Sequence, residues 1–399
     1  MVPAIRKAFN EAFTQQAYQD FLKDLNSKHP GTIEFRVAET PIFVDKAFTK
    51  KMIDACESIV DVIVTPDFKQ LTARSIPKGE SVPGENSMSH MIAFDFGICI
   101  NDKHELEPQL IEMQGFPTLF GFQVYYPEVV QQHFSIPSNY DQYLGNYKRD
   151  TYIKDLKEVI IGTLPVENVI LLEIKPHEQK TRIDFYCTQD YLGIQPVCIT
   201  ELIQEGKKLY YINEQTKKKT PVLRIYNRII FDDLNAQKES LGNFVDITQE
   251  LDVEWVPHPN WFYRISKFTL PFIRHPFVPQ TFFLNEIKQI PGDLENYVLK
   301  PLFSFAGQGV VIDVTKKDID QVKEPENWIL QRKVTYADII ETPDIPAKAE
   351  IRIMYLWKDG AARPVPAINL ARLSKGKMIG VRYNKDREWV GGSVCLFEK

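Results

Sequence analysis

Helical and strand-like periods alternate along this chain. Between residues 3 and 26, apolar positions recur at helical spacing: Ile5, Ala8, Phe9, Ala12 and Phe13, then Tyr18, Phe21, Leu22 and Leu25. One amphipathic helix is expected there, closed by Pro30-Gly31. Residues 33–38 read as a strand. Phe48 to Val64 reads as a second helix, with Met52, Ile53, Cys56, Ile59 and Val60 on one face. Residues 77–90 are rich in Ser, Gly and Pro and have no period, so they read as a loop.

The next pattern is of period two. Residues 91–100 (M-I-A-F-D-F-G-I-C-I) form an apolar strand with Asp95 inside it. A charged turn follows, and then a second strand, 109–114 (Q-L-I-E-M-Q), runs into Gly115-Phe116-Pro117. The pleat puts Glu112 and Gln114 on one face. If the two strands are antiparallel neighbours, Asp95 joins that face. Two carboxylates and an amide oxygen are hard donors of the kind that hold Mg2+ beside phosphates. The competing reading is an edge hairpin whose polar face meets water. It explains Glu112 and Gln114, but explains less well an Asp inside an apolar strand.

Residues 122–165 read as mainly helical. Residues 168–174 (N-V-I-L-L-E-I) are a continuous apolar run, the pattern of a parallel strand buried on both faces. A helix to about Leu192 and strands at 195–199, 209–212 and 222–225 complete a Rossmann-like α/β unit without G-x-G-x-x-G. Arg228, directly after a strand, reads either as a contact to an anionic substrate or as a structural arginine. Further on, 268–273 and 286–290 read as short helices. Residues 277–282, 328–334, 349–356 and 365–373 read as strands.

One late hairpin gathers candidate chemistry. A strand at Tyr297-Val298-Leu299 delivers Lys300. The loop Ser304-Phe305-Ala306-Gly307-Gln308-Gly309 follows, and then a β-branched run, 310–314. Such a hairpin can fold backbone N–H groups over phosphates, although many hairpins carry two glycines for the turn alone.

Composition narrows the classes. The chain has 399 residues, 44% hydrophobic and 25% charged, which suits a globular protein of two or three domains. A net charge of −5 argues against duplex nucleic acid as the main partner. Five scattered cysteines without C-x-x-C are expected as buried free thiols in a reducing compartment. No signal peptide or apolar run of membrane-spanning length is read, so a cytoplasmic location without membrane contact is expected. Oligomeric state is not legible.

The order of these pieces resembles the ATP-grasp superfamily of carboxylate–amine ligases: Lys267 before a P-x-T strand, Lys300 before a glycine loop, I-L-Q-R-K-V, then E-I-R, A-R-L, Asn384 and Gly391-Gly392. The family's metal strands usually follow the G-G. Here the chain stops seven residues later, and the missing strands look displaced to Asp95 and Glu112-Met113-Gln114. The chain therefore resembles a circularly permuted ATP-grasp protein, similar to eukaryotic glutathione synthetase and glutathionylspermidine synthetase-like proteins.

The resemblance implies an α/β (α+β) ATP-grasp fold with a Rossmann-like pre-ATP-grasp domain. Residues 1–125 would be the displaced catalytic part, 126–265 the substrate domain and 266–399 the nucleotide-binding subdomains. It implies an ADP-forming ligase using ATP and Mg2+, with a small-molecule or peptide carboxylate and an amine acceptor as substrates. Lys267 and Lys300 would contact phosphates under the loop of Ser304, Gly307 and Gly309. Gln331 and the backbone of Lys333 and Val334 would meet adenine, and Asp338 the ribose. Arg352 and Arg372, with Lys300, would be catalytic; Asn384 would lie near the phosphates or acceptor; Asp95, Glu112 and Gln114 would bind Mg2+. Gln114 stands where the family usually has Asn, and Arg332 and Lys333 where the hinge is usually acidic or neutral. A phosphoryl-transferring kinase or an inactive nucleotide-binding protein on the same fold are the alternatives.

Overall fold

The computed structural model describes residues 2–303, 309–376, 379, 384 and 386–399. At its centre is an antiparallel sheet of five strands, in the order Gly391–Ser393, Val365–Ser374, Lys348–Leu356, Met91–Ile100 and Leu106–Gln114. The early hairpin thus completes a sheet whose other strands lie near the C-terminus.

Period two explains how Asp95 is tolerated in that sheet. Ile92, Phe94, Phe96 and Ile98 pack in one core with Met52, Cys56, Ile59 and Val60 of the helix Lys46–Ile63. Phe94 meets Tyr355 edge-on at 5.3 Å. On the opposite face, Met91 and Ala93 join Met354, Leu356, Ile368 and Leu370 in a second core. That face turns polar further along the strands, at Asp95, Arg352, Glu350 and Arg372. The Asp is the first polar position of a face that starts apolar.

Residues 169–256 hold a four-stranded parallel sheet, in the order Glu254–Val256, Arg224–Asn227, Val169–Glu173 and Gln195–Cys198. The continuous apolar run lies inside it, as a strand buried on both faces should. A third sheet is antiparallel, with Trp328–Arg332 between Thr281–Phe283 and Tyr297–Pro301.

The chain's two ends meet. Ile42–Val44 pairs in parallel with Cys395–Glu398, and Ala38 N–H donates to Gly392 O at 2.9 Å. Gly391 sits at φ +122°, where a Cβ would lie 2.3 Å from Arg36 O. The G-G pair is therefore a seam between the ends.

Several local expectations change. The single helix over 3–26 is two helices, Pro3–Ala12 and Gln15–Leu25, because Phe13 is extended and Thr14 caps the second by accepting from Ala17 N–H at 3.1 Å. Residues 33–38 give one bridge, Val37 to Gly392, instead of a strand. The helix expected at 286–290 is absent; a 3-10 turn ends at Glu286. The run 310–314 contributes one bridge, with Val311 and Leu299 exchanging two 2.9 Å hydrogen bonds. All five cysteines are free and buried. No helix among the described residues is long and apolar enough to cross a membrane.

Candidate functional site

Asp95 is the hub. It lies opposite Glu112 on one side and opposite Arg352 on the other. A register shift just after Asp95 keeps Glu112 in step with it. Arg352 grips the carboxylate with two hydrogen bonds, Nε to Oδ1 at 2.5 Å and Nη2 to Oδ2 at 2.6 Å. Arg372 Nη2 adds a third to Oδ2 at 2.9 Å. Asp95 is 2% exposed. Burial works against its charge, but Arg352 and Arg372 outweigh that and hold its carboxyl below the usual range.

Gln114 belongs to the same cluster. With its amide oxygen turned inward, it accepts from Arg352 Nη1 and Nη2 at 2.8 and 2.9 Å. Arg352 Nη1 also donates to Thr118 Oγ1 at 3.1 Å. On the far side, Arg372 Nη2 lies 2.8 Å from Glu350 Oε2, and Tyr336 OH donates to Glu350. Burial lowers the pKa of the Arg372 guanidinium, but Glu350, Asp95 and Glu112 more than reverse this. Gly97 lies opposite Glu350. A Cβ on it would come within 2.7 Å of the Tyr336 ring.

The small antiparallel sheet brings Lys300, and the 3-10 helix Lys267–Phe272 brings Lys267. Lys300 Nζ donates to Gln331 Oε1 at 2.6 Å, and Gln331 Nε2 donates to Thr281 Oγ1 at 3.0 Å. Burial lowers the Lys300 pKa, opposed by Glu112 and Glu350. Lys267 is brought down to about 8, again by burial, with Glu112 pulling it back up and Lys300 pushing it further down. The Glu112 charge thus acts on Lys267, Lys300 and Arg372. A pocket here has Glu112, Gln114, Asp232, Lys267 and Phe303 in its wall.

The remaining expected residues are more dispersed. Both ends of the Gln331 amide are engaged by Lys300 and Thr281, so neither is open to a base in this arrangement. Lys333 N–H donates to Asn296 O at 2.7 Å, and its side chain meets Asp313 at 3.1 Å. Val334 is half-buried just beyond that strand. Asp338 is exposed, 3.8 Å from Lys348. Asn384 Oδ1 accepts from Ser374 Oγ at 3.1 Å and from Lys375 N–H at 2.9 Å. Gly309, at φ +71°, lies against Pro301. Ser304 and Gly307 lie outside the described residues.

Arg228 has a structural partner. It pairs with buried Asp184 at 2.9 Å, and Asp184 Oδ1 accepts the N–H groups of Gly121 and Phe122 at 2.8 and 2.9 Å.

Sequence reasoning missed Glu350, Tyr336, Thr118 and Asp232. Glu350 carried a usable signal, because it stands two residues before Arg352 and the pleat puts both on one face. The other three lie off the strands, where no period places them.

The Mg2+ set can be tested on these contacts. Asp95 directs both oxygens at Arg352, and Gln114 directs its oxygen there once its amide is turned, so two of the three expected ligands are then occupied by a guanidinium. Among the described residues, no group of three or more His, Cys, Asp or Glu could hold a metal ion. As placed, this donor set does not fit a resident divalent cation.

No family model matches the chain, and no curated protein does. Among solved structures, a glutathione synthetase-like effector (GSS30) from Globodera pallida, in its apo form, matches with a TM-score of 0.59 and 12% sequence identity, covering 96% of each chain. That likeness extends over nearly the whole length and is one of fold.

Proposed function

We propose that this chain is an ATP-dependent ligase that joins a carboxylate to an amine through an acyl phosphate, on a permuted ATP-grasp fold. The observation that carries this is the convergence of Lys267 and Lys300 with Arg352 and Arg372 around Glu112 and Asp95. Phosphoryl transfer needs cations placed where charge spreads over the phosphate oxygens. Lys267 and Lys300 would hold the phosphates. Arg372, on the same face as Arg352, would face the transferring group. The substrate carboxylate oxygen attacks the γ-phosphorus, and the bond to the β-phosphate oxygen breaks, leaving ADP. The amine then attacks the acyl carbon, phosphate leaves, and the amine gives up a proton. Because the Asp95–Glu112–Gln114 set does not fit Mg2+ as placed, no step is routed through a metal.

One observation favours a second reading, a nucleotide-binding protein without turnover. Both Arg352 and Arg372 are already committed to Asp95, so the arginines of the transfer step are neutralised in this arrangement.

Phosphate release separates the readings. The chain is incubated with ATP and paired amino acids, peptides and polyamines. A ligase releases phosphate only when both a carboxylate and an amine are present. Lys300→Met should weaken ATP binding or reduce release by at least about tenfold, as expected when a phosphate-contacting cation is lost. ATP binding without release across the panel supports the second reading. ADP formation with a stable phosphorylated product and no need for an amine points to a kinase.

A further inference from the structure

We infer that this chain binds its phosphate-bearing ligand without a divalent cation, the Arg352 guanidinium standing in the place an ion shared by Asp95 and Gln114 would take. The inference rests on the nucleotide reading above and says how that site holds charge. Three contacts carry it. Arg352 covers both oxygens of Asp95. It also takes the Gln114 amide oxygen. Arg372 adds a second guanidinium to Asp95 Oδ2 and is itself held by Glu350.

Mg2+ requires near-octahedral oxygen ligands at about 2.0–2.1 Å. Here the oxygens that would approach it instead accept N–H groups in a fixed fork, the geometry that pairs arginine with carboxylate most strongly. An ion placed between Asp95 and Gln114 would meet the Arg352 guanidinium already seated there, and like charges repel strongly where water is excluded. A phosphate group meets the opposite situation. Lys267 shares a pocket wall with Glu112 and Gln114, Lys300 and Lys267 both feel the Glu112 charge, and burial disfavours the charge each lysine carries. An anion lodged between them relieves that penalty with no metal to bridge it. The ligand class is therefore a di- or triphosphate ester whose charge is met by Lys267 and Lys300 without a metal.

Calorimetric titration of the metal-stripped full chain with ATP, once in Mg2+ and once in EDTA, tests this. The dissociation constants should agree within about twofold. A loss of more than about tenfold in EDTA overturns the inference and leaves the nucleotide reading standing. Absence of binding in both buffers overturns both. In a second measurement, Mn2+ is titrated into the ATP-free protein and followed by electron paramagnetic resonance. The native chain should leave Mn2+ free, whereas Arg352→Met, which releases Asp95 and Gln114, should bind it. Mn2+ bound by the native chain, or left free by folded Arg352→Met, counts against the inference. Should Arg352→Met not fold, Arg352→Gln, which also removes the guanidinium, takes its place and should bind Mn2+ where the native chain leaves it free; Mn2+ left free by folded Arg352→Gln overturns the assignment.

Discussion

A carboxyl buried at the end of a strand makes a protein's stability depend on pH, and Glu173 is such a group. It closes the strand Val169–Glu173, and its Oε1 accepts from Ile174 N–H at 2.7 Å. Burial raises its pKa from 4.5 to about 8, while the Ile174 N–H and Arg228 pull it down and Asp233 adds to the rise. The folded value lies above the unfolded one. Its contribution to stability is therefore complete below pH 4.5 and is lost as pH rises through about 8. Glu173→Gln keeps the acceptor without the charge. It should raise the melting temperature by a few degrees at about pH 9 and change it little at about pH 4, as measured by thermal denaturation across that range. Single residues were legible from sequence where they broke a pattern. Asp95 interrupts an apolar strand, and Lys300 and Arg352 sit at strand positions whose facing is set by the pleat. What the sequence does not carry is which oxygen each cation takes. The pairing of Arg352 with both Asp95 and Gln114 depends on a register across 257 positions of chain.

Among the elements, Met91–Ile100 was legible to its ends as an apolar run broken by Asp95, and Lys348–Leu356 to within one residue. The second hairpin strand begins at Leu106 and not at 109, because Glu107 and Pro108 look like turn residues in the sequence. Short elements were less legible. The kink at Phe13-Thr14 separates two helices whose apolar spacing runs on as if unbroken, so only the cap marks it. The β-branched run 310–314 has strand propensity, yet one bridge is all that forms there, since propensity alone does not supply a partner. The central sheet also depends on a vacancy that the sequence shows only as a glycine. Gly97→Ala would press a methyl onto the Tyr336 ring, and Tyr336 holds Glu350, which in turn orients Arg372. Overpacking of this kind costs about 1–3 kcal/mol. Urea denaturation should show that loss, and ATP affinity should fall with it. A variant that loses ATP affinity at full stability would place the effect on the Glu350–Arg372 contact alone.

On the scale of the whole molecule, the sheets bring together segments far apart in sequence. Ser393 Oγ donates to Thr40 O, 353 positions away, and Lys46 N–H reaches Glu398. Ile42–Val44 and Cys395–Glu398 lie in one sheet, and permutation is the reading we propose for that arrangement. Removing residues 395–399 would leave Ile42–Val44 without its parallel partner and expose a core containing Cys395 and Phe397. The truncated chain should unfold at a clearly lower temperature than the full chain and expose apolar surface to a fluorescent dye such as ANS. An unchanged melting curve would mean that the seam between the ends carries little stability.

That seam also bears on how the protein is made. A ribosome releases Ile42–Val44 and the apolar strand Met91–Ile100 long before their partners, Cys395–Glu398 and Lys348–Leu356, have been synthesised. During most of translation these strands have no native edge to pair with, and the nascent chain carries apolar segments open to the wrong neighbour. The parallel sheet of residues 169–256 can close first, because its strands emerge together. The cleft around Asp95 closes last. The central sheet stays incomplete until Lys348–Leu356 and Val365–Ser374 have been made, so a cell short of chaperones should lose this protein to aggregation during synthesis more readily than the finished fold would suggest.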